Sequence, residues 1–232
     1  LIPEHEKPYY SELPLYLPHV YQSSDRKRPV GVIPTREQCG LPSDKFIFCS
    51  FNNNYKVNEE VFDCWLRILR RVPNSLLWLL ADNQWAQQNL IEHASKQGID
   101  TARLIFAPRV APADYLARYT AADVFLDSYP FNAGTTANDA LFMGLPVLTR
   151  SGRTFAARMA GALLTALKLP ELITYTLQDY EDRAVQLAEQ PALLADIKQR
   201  LIAGRETSPL FDMPQFVRDF ENAVASKVVR PG

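Results

Sequence analysis

From residue 41 onward, short apolar runs alternate with segments whose apolar residues recur at helical spacing, and few folds accept that alternation. The runs at 46–51, 75–81, 104–107, 124–128 and 147–149 read as strands. Val61, Trp65, Ile68, Leu69 and Val72 mark a helix over 58–72. Trp85, Leu90, Ile91 and Ala94 mark another, ended by Gly98. Shorter helices are expected over 113–121, 135–143 and 155–167. Strand and helix in strict turn imply parallel βαβ crossovers, hence an α/β, Rossmann-like doubly wound parallel sheet. In such a sheet ligands lie beyond the carboxyl ends of the strands. Residues 178–203 read as two helices broken at Pro191, and 214–226 as a final amphipathic helix. Residues 1–40, rich in Pro, Tyr and charge and without a period, read as an extended approach segment lying on something else. The expected division is therefore 1–40, a lobe over 41–205, and a closing segment over 206–232.

The chain is 47% hydrophobic and 22% charged with a net charge of -1, which fits a globular chain and lacks the basic excess of a nucleic-acid binder. No apolar run approaches the roughly 20 residues of a membrane span. Cys39, Cys49 and Cys64 are odd in number and show no C-x-x-C spacing, which points to a reducing compartment, with the cytoplasm as the default. The first residues, Leu1 to Lys7, carry neither a starting Met nor a signal peptide, so a piece of a longer protein is expected.

The densest chemistry falls between Ser128 and Thr149. A strand there ends in a turn, and Gly134, Thr135 and Thr136 open a helix whose free backbone N–H groups suit phosphate. Asp139, one turn on, shares a face with both threonines and is placed to accept from ribose hydroxyls. The same residues also fit a capping box, Thr136 to Asp139, serving only the helix. After the first strand, Asn52, Asn53 and Asn54 precede Lys56. There Asn53 is a side-chain donor and Lys56 a neutralising charge for a pyrophosphate, although asparagines also form turns and a lysine is often merely solvated. The loop Pro108 to Pro112, with Ala111, offers backbone to a base edge. Tyr115 and Arg118, three apart, bring a ring and a guanidinium to one helix face, or simply belong to an amphipathic helix with Leu116 inward and Arg118 in water.

Together these stretches resemble glycosyltransferase family 41, the O-GlcNAc transferase and SPINDLY group, in its carboxyl-terminal, nucleotide-binding half. The resemblance runs over about 9–224. It is carried by Tyr10 to Glu12, Cys39 to Pro42, Phe51 to Lys56, Val72 to Leu80, Ala122 to Asp127, Gly134 to Thr136 with Asp139, and Ser208 to Phe211. It implies the C-terminal lobe of a GT-B glycosyltransferase that binds UDP or UDP-GlcNAc and transfers the sugar to protein or peptide Ser/Thr hydroxyls. It further implies a missing N-terminal catalytic lobe and tetratricopeptide repeats, without which this piece is inactive, and a final helix that packs back on that lobe. By the same resemblance Lys56 contacts the diphosphate and stabilises the leaving nucleotide, and Asn53 contacts phosphate. Ala111 meets uracil, Tyr115 falls where animal members carry a histidine, and Arg118 matches a family arginine. Thr135 and Thr136 hold phosphate, and Asp139 holds ribose. Gly134 departs from the histidine of many members.

No metal or other cofactor is expected: His5, His19 and His93 are scattered, and no clustered carboxylates are legible. The leaving diphosphate would then be stabilised by fixed charges and N–H groups alone. Two alternatives stay open, a GDP-fucose-dependent O-fucosyltransferase of the same family and a non-catalytic nucleotide-binding module.

Overall fold

The computed structural model describes residues 1–227. Its centre is a six-stranded, wholly parallel sheet in the order β3-β2-β1-β4-β5-β6. The strands are β1 (Phe46–Ser50), β2 (Ser75–Leu80), β3 (Leu104–Ala107), β4 (Val124–Leu126), β5 (Val147–Arg150) and β6 (Ile173–Thr174). Every residue of β2 is buried, as expected of a parallel strand covered on both faces, which is why its sequence runs apolar without alternation. β6 is too short to leave a sequence signature and was not anticipated.

The helices are α1 (Glu59–Arg71), α2 (Gln84–Lys96), α3 (Pro112–Arg118), α4 (Thr135–Phe142), α5 (Met159–Ala166), α6 (Leu177–Glu189), α7 (Pro191–Thr207) and α8 (Met213–Ala225). α1 shows how sequence sets position. Asn58 caps it by accepting from Val61 N at 2.9 Å, and acidic residues open it while arginines close it, as the helix dipole favours. Its buried stripe from Val61 to Leu69 packs on the sheet and on α6, where Trp65 Nε1 donates to the Tyr180 hydroxyl at 3.3 Å. The cap amide also donates to Tyr129 O at 2.8 Å, tying the start of α1 to the loop after β4.

The strand order reverses between β1 and β4: the chain builds outward from β1 to β3, returns beside β1 as β4, and builds outward the other way. That switch point leaves a crevice at the carboxyl ends of β1 and β4.

The amino-terminal segment lies in part on the lobe itself, contrary to the expectation that it serves another surface. Ser24 N donates to Leu210 O at 2.8 Å, Arg26 Nε to Phe211 O at 2.7 Å, and Gly31 N to Ala113 O at 2.9 Å. Arg36 then bonds Ala121 O at 3.1 Å and Asp123 Oδ2 at 2.8 Å. A segment without internal periodicity is thus fixed as a strap by hydrogen bonds to distant backbone, a cause that periodicity cannot reveal.

At the other end, Phe216 of α8 packs against the core while Val217, Phe220 and Val224 are exposed. The tail of the closing segment, residues 228–232, lies outside the described residues. No helix among the described residues is long and apolar enough to cross a membrane.

Candidate nucleotide site

Two loops meet at the switch point, one after β1 and one after β4, and buried polar groups lock them together. Asn52 donates from Nδ2 to Ser128 Oγ at 2.9 Å and, more weakly, to Asp127 Oδ1 at 3.4 Å. Its carbonyl accepts from Thr136 Oγ1 at 2.6 Å, so donors and acceptors on both sides fix which way the amide points. Asp127, 1% exposed, also accepts from Ala133 N and Thr149 Oγ1, each at 2.7 Å, and from Ser128 N at 2.8 Å. Burial pushes its carboxyl up to about 7, opposed by those hydrogen bonds. Sequence reasoning gave Asn52 no partner and placed Asp127 at a strand end and in the family resemblance without a role in the site. The signal available was a carboxylate closing an apolar strand, where only a well-bonded acid is tolerated.

Lys56 ends the turn Asn54–Lys56. Its ammonium donates to Asn132 O at 3.0 Å and sits 3.9 Å from the centre of the Phe131 ring. Burial lowers its pKa while Asp127 opposes the shift, so a partly desolvated cation stands between the two loops. Asn53 precedes this turn, is exposed, and makes no side-chain hydrogen bond among the described residues.

Beside Asn53 opens a cavity of about 310 Å³ walled by Phe51, Asn53, Pro112, Tyr115, Arg118 and Thr136, at the lower end of small-ligand pockets. Four of the predicted site residues thus share one wall. Arg118 does not extend into water, which corrects the amphipathic alternative for α3. It is 5% exposed, its Nη1 donates to Pro108 O at 2.7 Å, and its guanidinium lies 4.3 Å from the Phe51 ring and 4.9 Å from that of Tyr115. Nε and Nη2 are buried without a partner. A buried cation with two idle donors on a cavity wall is a demand for an acceptor. Ala111 is exposed at the N-cap of α3, and its carbonyl already accepts from Tyr115 N at 2.8 Å, which leaves one lone pair.

No side chain caps α4: Gly134 is the N-cap and the capping box is not formed, since Thr136 turns to Asn52 instead. The first-turn N–H groups of α4 therefore stand without intrahelical acceptors, with Thr135 exposed at their head. A Cβ at Gly134 would meet Met159 Cε at 2.5 Å, with the Tyr21 hydroxyl at 3.9 Å; Met159 fills the space a larger residue would take. Asp139 lies farther along, 7% exposed, and is not on the cavity wall. Arg28 of the strap bonds its Oδ1 through Nη1. Burial raises the Asp139 pKa and Arg28 pulls it back.

Folding also corrects the expectation that carboxylates and histidines are scattered. Glu59 and Asp63, one turn apart on α1, and His93 on α2 bring ligand atoms within 4.8 Å of one another, and only helix packing adds the histidine. Asp63 Oδ1 and His93 Nε2 lie 2.6 Å apart and already satisfy each other.

The profile of glycosyl transferase family 41 matches residues 19–220. The chain belongs to glycosyl transferase family 41. Among its relatives is the probable UDP-N-acetylglucosamine–peptide N-acetylglucosaminyltransferase SEC of Arabidopsis thaliana, 37% identical over 92% of this chain and 23% of the relative. The corresponding Caenorhabditis elegans enzyme is 35% identical over 82% of this chain and 17% of its own length. The chain thus spans about a fifth of the curated relatives it matches. A mutant of the Thermobaculum terrenum O-GlcNAc transferase superposes with a TM-score of 0.86 at 28% identity, over 97% of this chain and 43% of that one. The family 41 lobe has the fold of the GT-B glycosyltransferases, as expected from the sequence.

Proposed function

We propose that this family 41 lobe holds the nucleotide of a sugar donor, UDP-N-acetylglucosamine by preference, in a glycosyltransferase that modifies protein Ser/Thr hydroxyls. The observation that carries the reading is Arg118, a buried guanidinium with two idle N–H groups on the wall of a cavity shared with Asn53, Tyr115 and Thr136. The base occupies that cavity with the Ala111 backbone at its edge, and the ribose extends past its wall toward Asp139, whose Oδ2 is available to a hydroxyl. The diphosphate lies against the first turn of α4, held by its N–H groups and by Thr135, with Lys56 and Asn53 on the opposite side.

Transfer breaks the bond between the anomeric carbon and the β-phosphate oxygen, and negative charge gathers on the diphosphate. Lys56, close enough to an apolar ring and a carbonyl to be partly desolvated, stabilises that charge more strongly than it would in water. No metal is assigned to this step. The acceptor site, the base that takes the hydroxyl proton and any tetratricopeptide repeats belong to other parts of the protein, without which the lobe does not turn over. The unpaired thiols of Cys39, Cys49 and Cys64 suit the cytoplasm.

Calorimetric titration of the protein with UDP, GDP, ADP and UDP-N-acetylglucosamine tests the reading. Saturable UDP binding that weakens in Asp139→Ala supports it. A preference for GDP redirects it to a fucosyl donor, and no binding by the full-length protein overturns it.

A further inference from the structure

Arg28 stands outside every motif that pointed to the site, yet it is the side chain that touches Asp139. Its guanidinium lies 4.5 Å from the Phe142 ring, and its Nε and Nη2 are buried without a partner. A charge held with a single polar partner is a poor way to stabilise a fold, because an apolar residue of similar size would cover Phe142 without the desolvation cost. Among the described residues Asp139 makes no other side-chain hydrogen bond, so Oδ1 is engaged and Oδ2 is free. The strap that delivers Arg28 is pinned on both sides, by Arg26 to Phe211 O at 2.7 Å and by Gly31 to Ala113 O at 2.9 Å. At Gly31 a side chain would press on Asp114 and on the Ala113 backbone, so the strap runs close along α3.

We infer that Arg28 is a positioning residue for the donor site: it fixes Asp139 through Oδ1 so that Oδ2 is presented to a ribose hydroxyl of the nucleotide. The inference rests on the proposed donor-binding reading and adds to it a residue from the amino-terminal strap. Arg28 touches the carboxylate, not the ribose, so its effect passes through Asp139 alone.

The test is a double-mutant cycle in the full-length protein, with UDP binding and donor KM as readouts. Arg28→Met keeps the stem over Phe142 and removes the charge, and Asp139→Asn removes the acceptor charge. Each single variant should weaken UDP binding about tenfold, as for loss of one charge-assisted hydrogen bond, and in Arg28→Met the loss should fall on donor KM, with kcat within about twofold. In the Asp139→Asn background, Arg28→Met should add less than about twofold. Guanidinium ion supplied at millimolar concentration should restore UDP binding to an Arg28→Ala variant and not to Asp139→Asn. Additive losses, no rescue, or unchanged binding in Arg28→Met with Asp139→Asn still impaired would overturn the role of Arg28 and leave the donor site standing. Unchanged binding in Asp139→Asn would overturn the donor-site reading itself. Thermal melts separate these outcomes from misfolding: the Arg28→Met melt should stay within a few degrees of the parent.

Discussion

Lys56 and Asp127 illustrate how single side chains divide the work of the crevice. Replacing Lys56 by Ala removes the ammonium poised between the β1 and β4 loops, and kcat should fall on the order of 10²-fold or more while donor affinity falls far less. Equal losses in affinity and turnover, measured by single-turnover kinetics, would show that Lys56 binds ground state and transition state alike. Asp127 makes a different prediction. Its carboxyl titrates near 7 when folded, above the ordinary carboxylate range, so the folded protein binds the extra proton. Stability from this group is therefore full at acid pH below the unfolded value and is lost as pH rises toward and through 7. Urea titrations should show unfolding free energy lower at pH 8 than at pH 5 by about 2 kcal/mol, provided other groups do not titrate in that window. A flat or rising profile would mean that the four donors around Asp127 outweigh its burial. Of these two residues only Lys56 was legible in the sequence. A lysine after a strand announces a charge at a known place, whereas the value of Asp127 comes from four partners scattered over four positions in the chain.

The elements divide along the same line. Strands β1 to β5 and the long helices could be read because one local cause, burial against the sheet, repeats along each of them. β6 has two residues, too few to repeat anything. The strap failed for the opposite reason: its order comes from partners far away in sequence. His93 joins the i, i+4 pair Glu59 and Asp63 in the same way, only when α1 meets α2. For the strap the geometry predicts a steric signature. Gly31→Val should press on the Ala113 backbone, lengthen the Gly31 N to Ala113 O bond and lower stability by about 1–3 kcal/mol. Because the strap also carries Arg28, UDP affinity should drop with it; a variant that melts normally and binds normally would show that the strap has room to spare.

At the scale of the whole molecule, the lobe leaves an apolar stripe uncovered on α8, where Val217, Phe220 and Val224 face outward while Phe216 anchors the helix. Expressed alone, the chain should associate as its concentration rises, and Phe220→Glu should reduce that association in sedimentation experiments without lowering the melting temperature by more than a few degrees. Equal association by parent and variant would place the sticky surface elsewhere.

The ties between the strap and the region before α8 also constrain the order in which the molecule is completed. Arg26 meets Phe211 across 185 positions of the chain, and Ser23 meets Leu210 across 187. During synthesis the amino-terminal segment precedes the lobe, and although Gly31 and Arg28 meet partners at Ala113 and Asp139, the ties of Ser23, Ser24 and Arg26 wait until nearly the entire lobe has followed. The sheet can assemble strand by strand, but the ties that pin the strap on the amino-terminal side of Arg28 close only with the last contacts. A nascent chain halted before residue 210 should therefore hold a formed β1 to β5 core with the strap pinned on one side only, so that full nucleotide affinity marks the end of folding, not its progress.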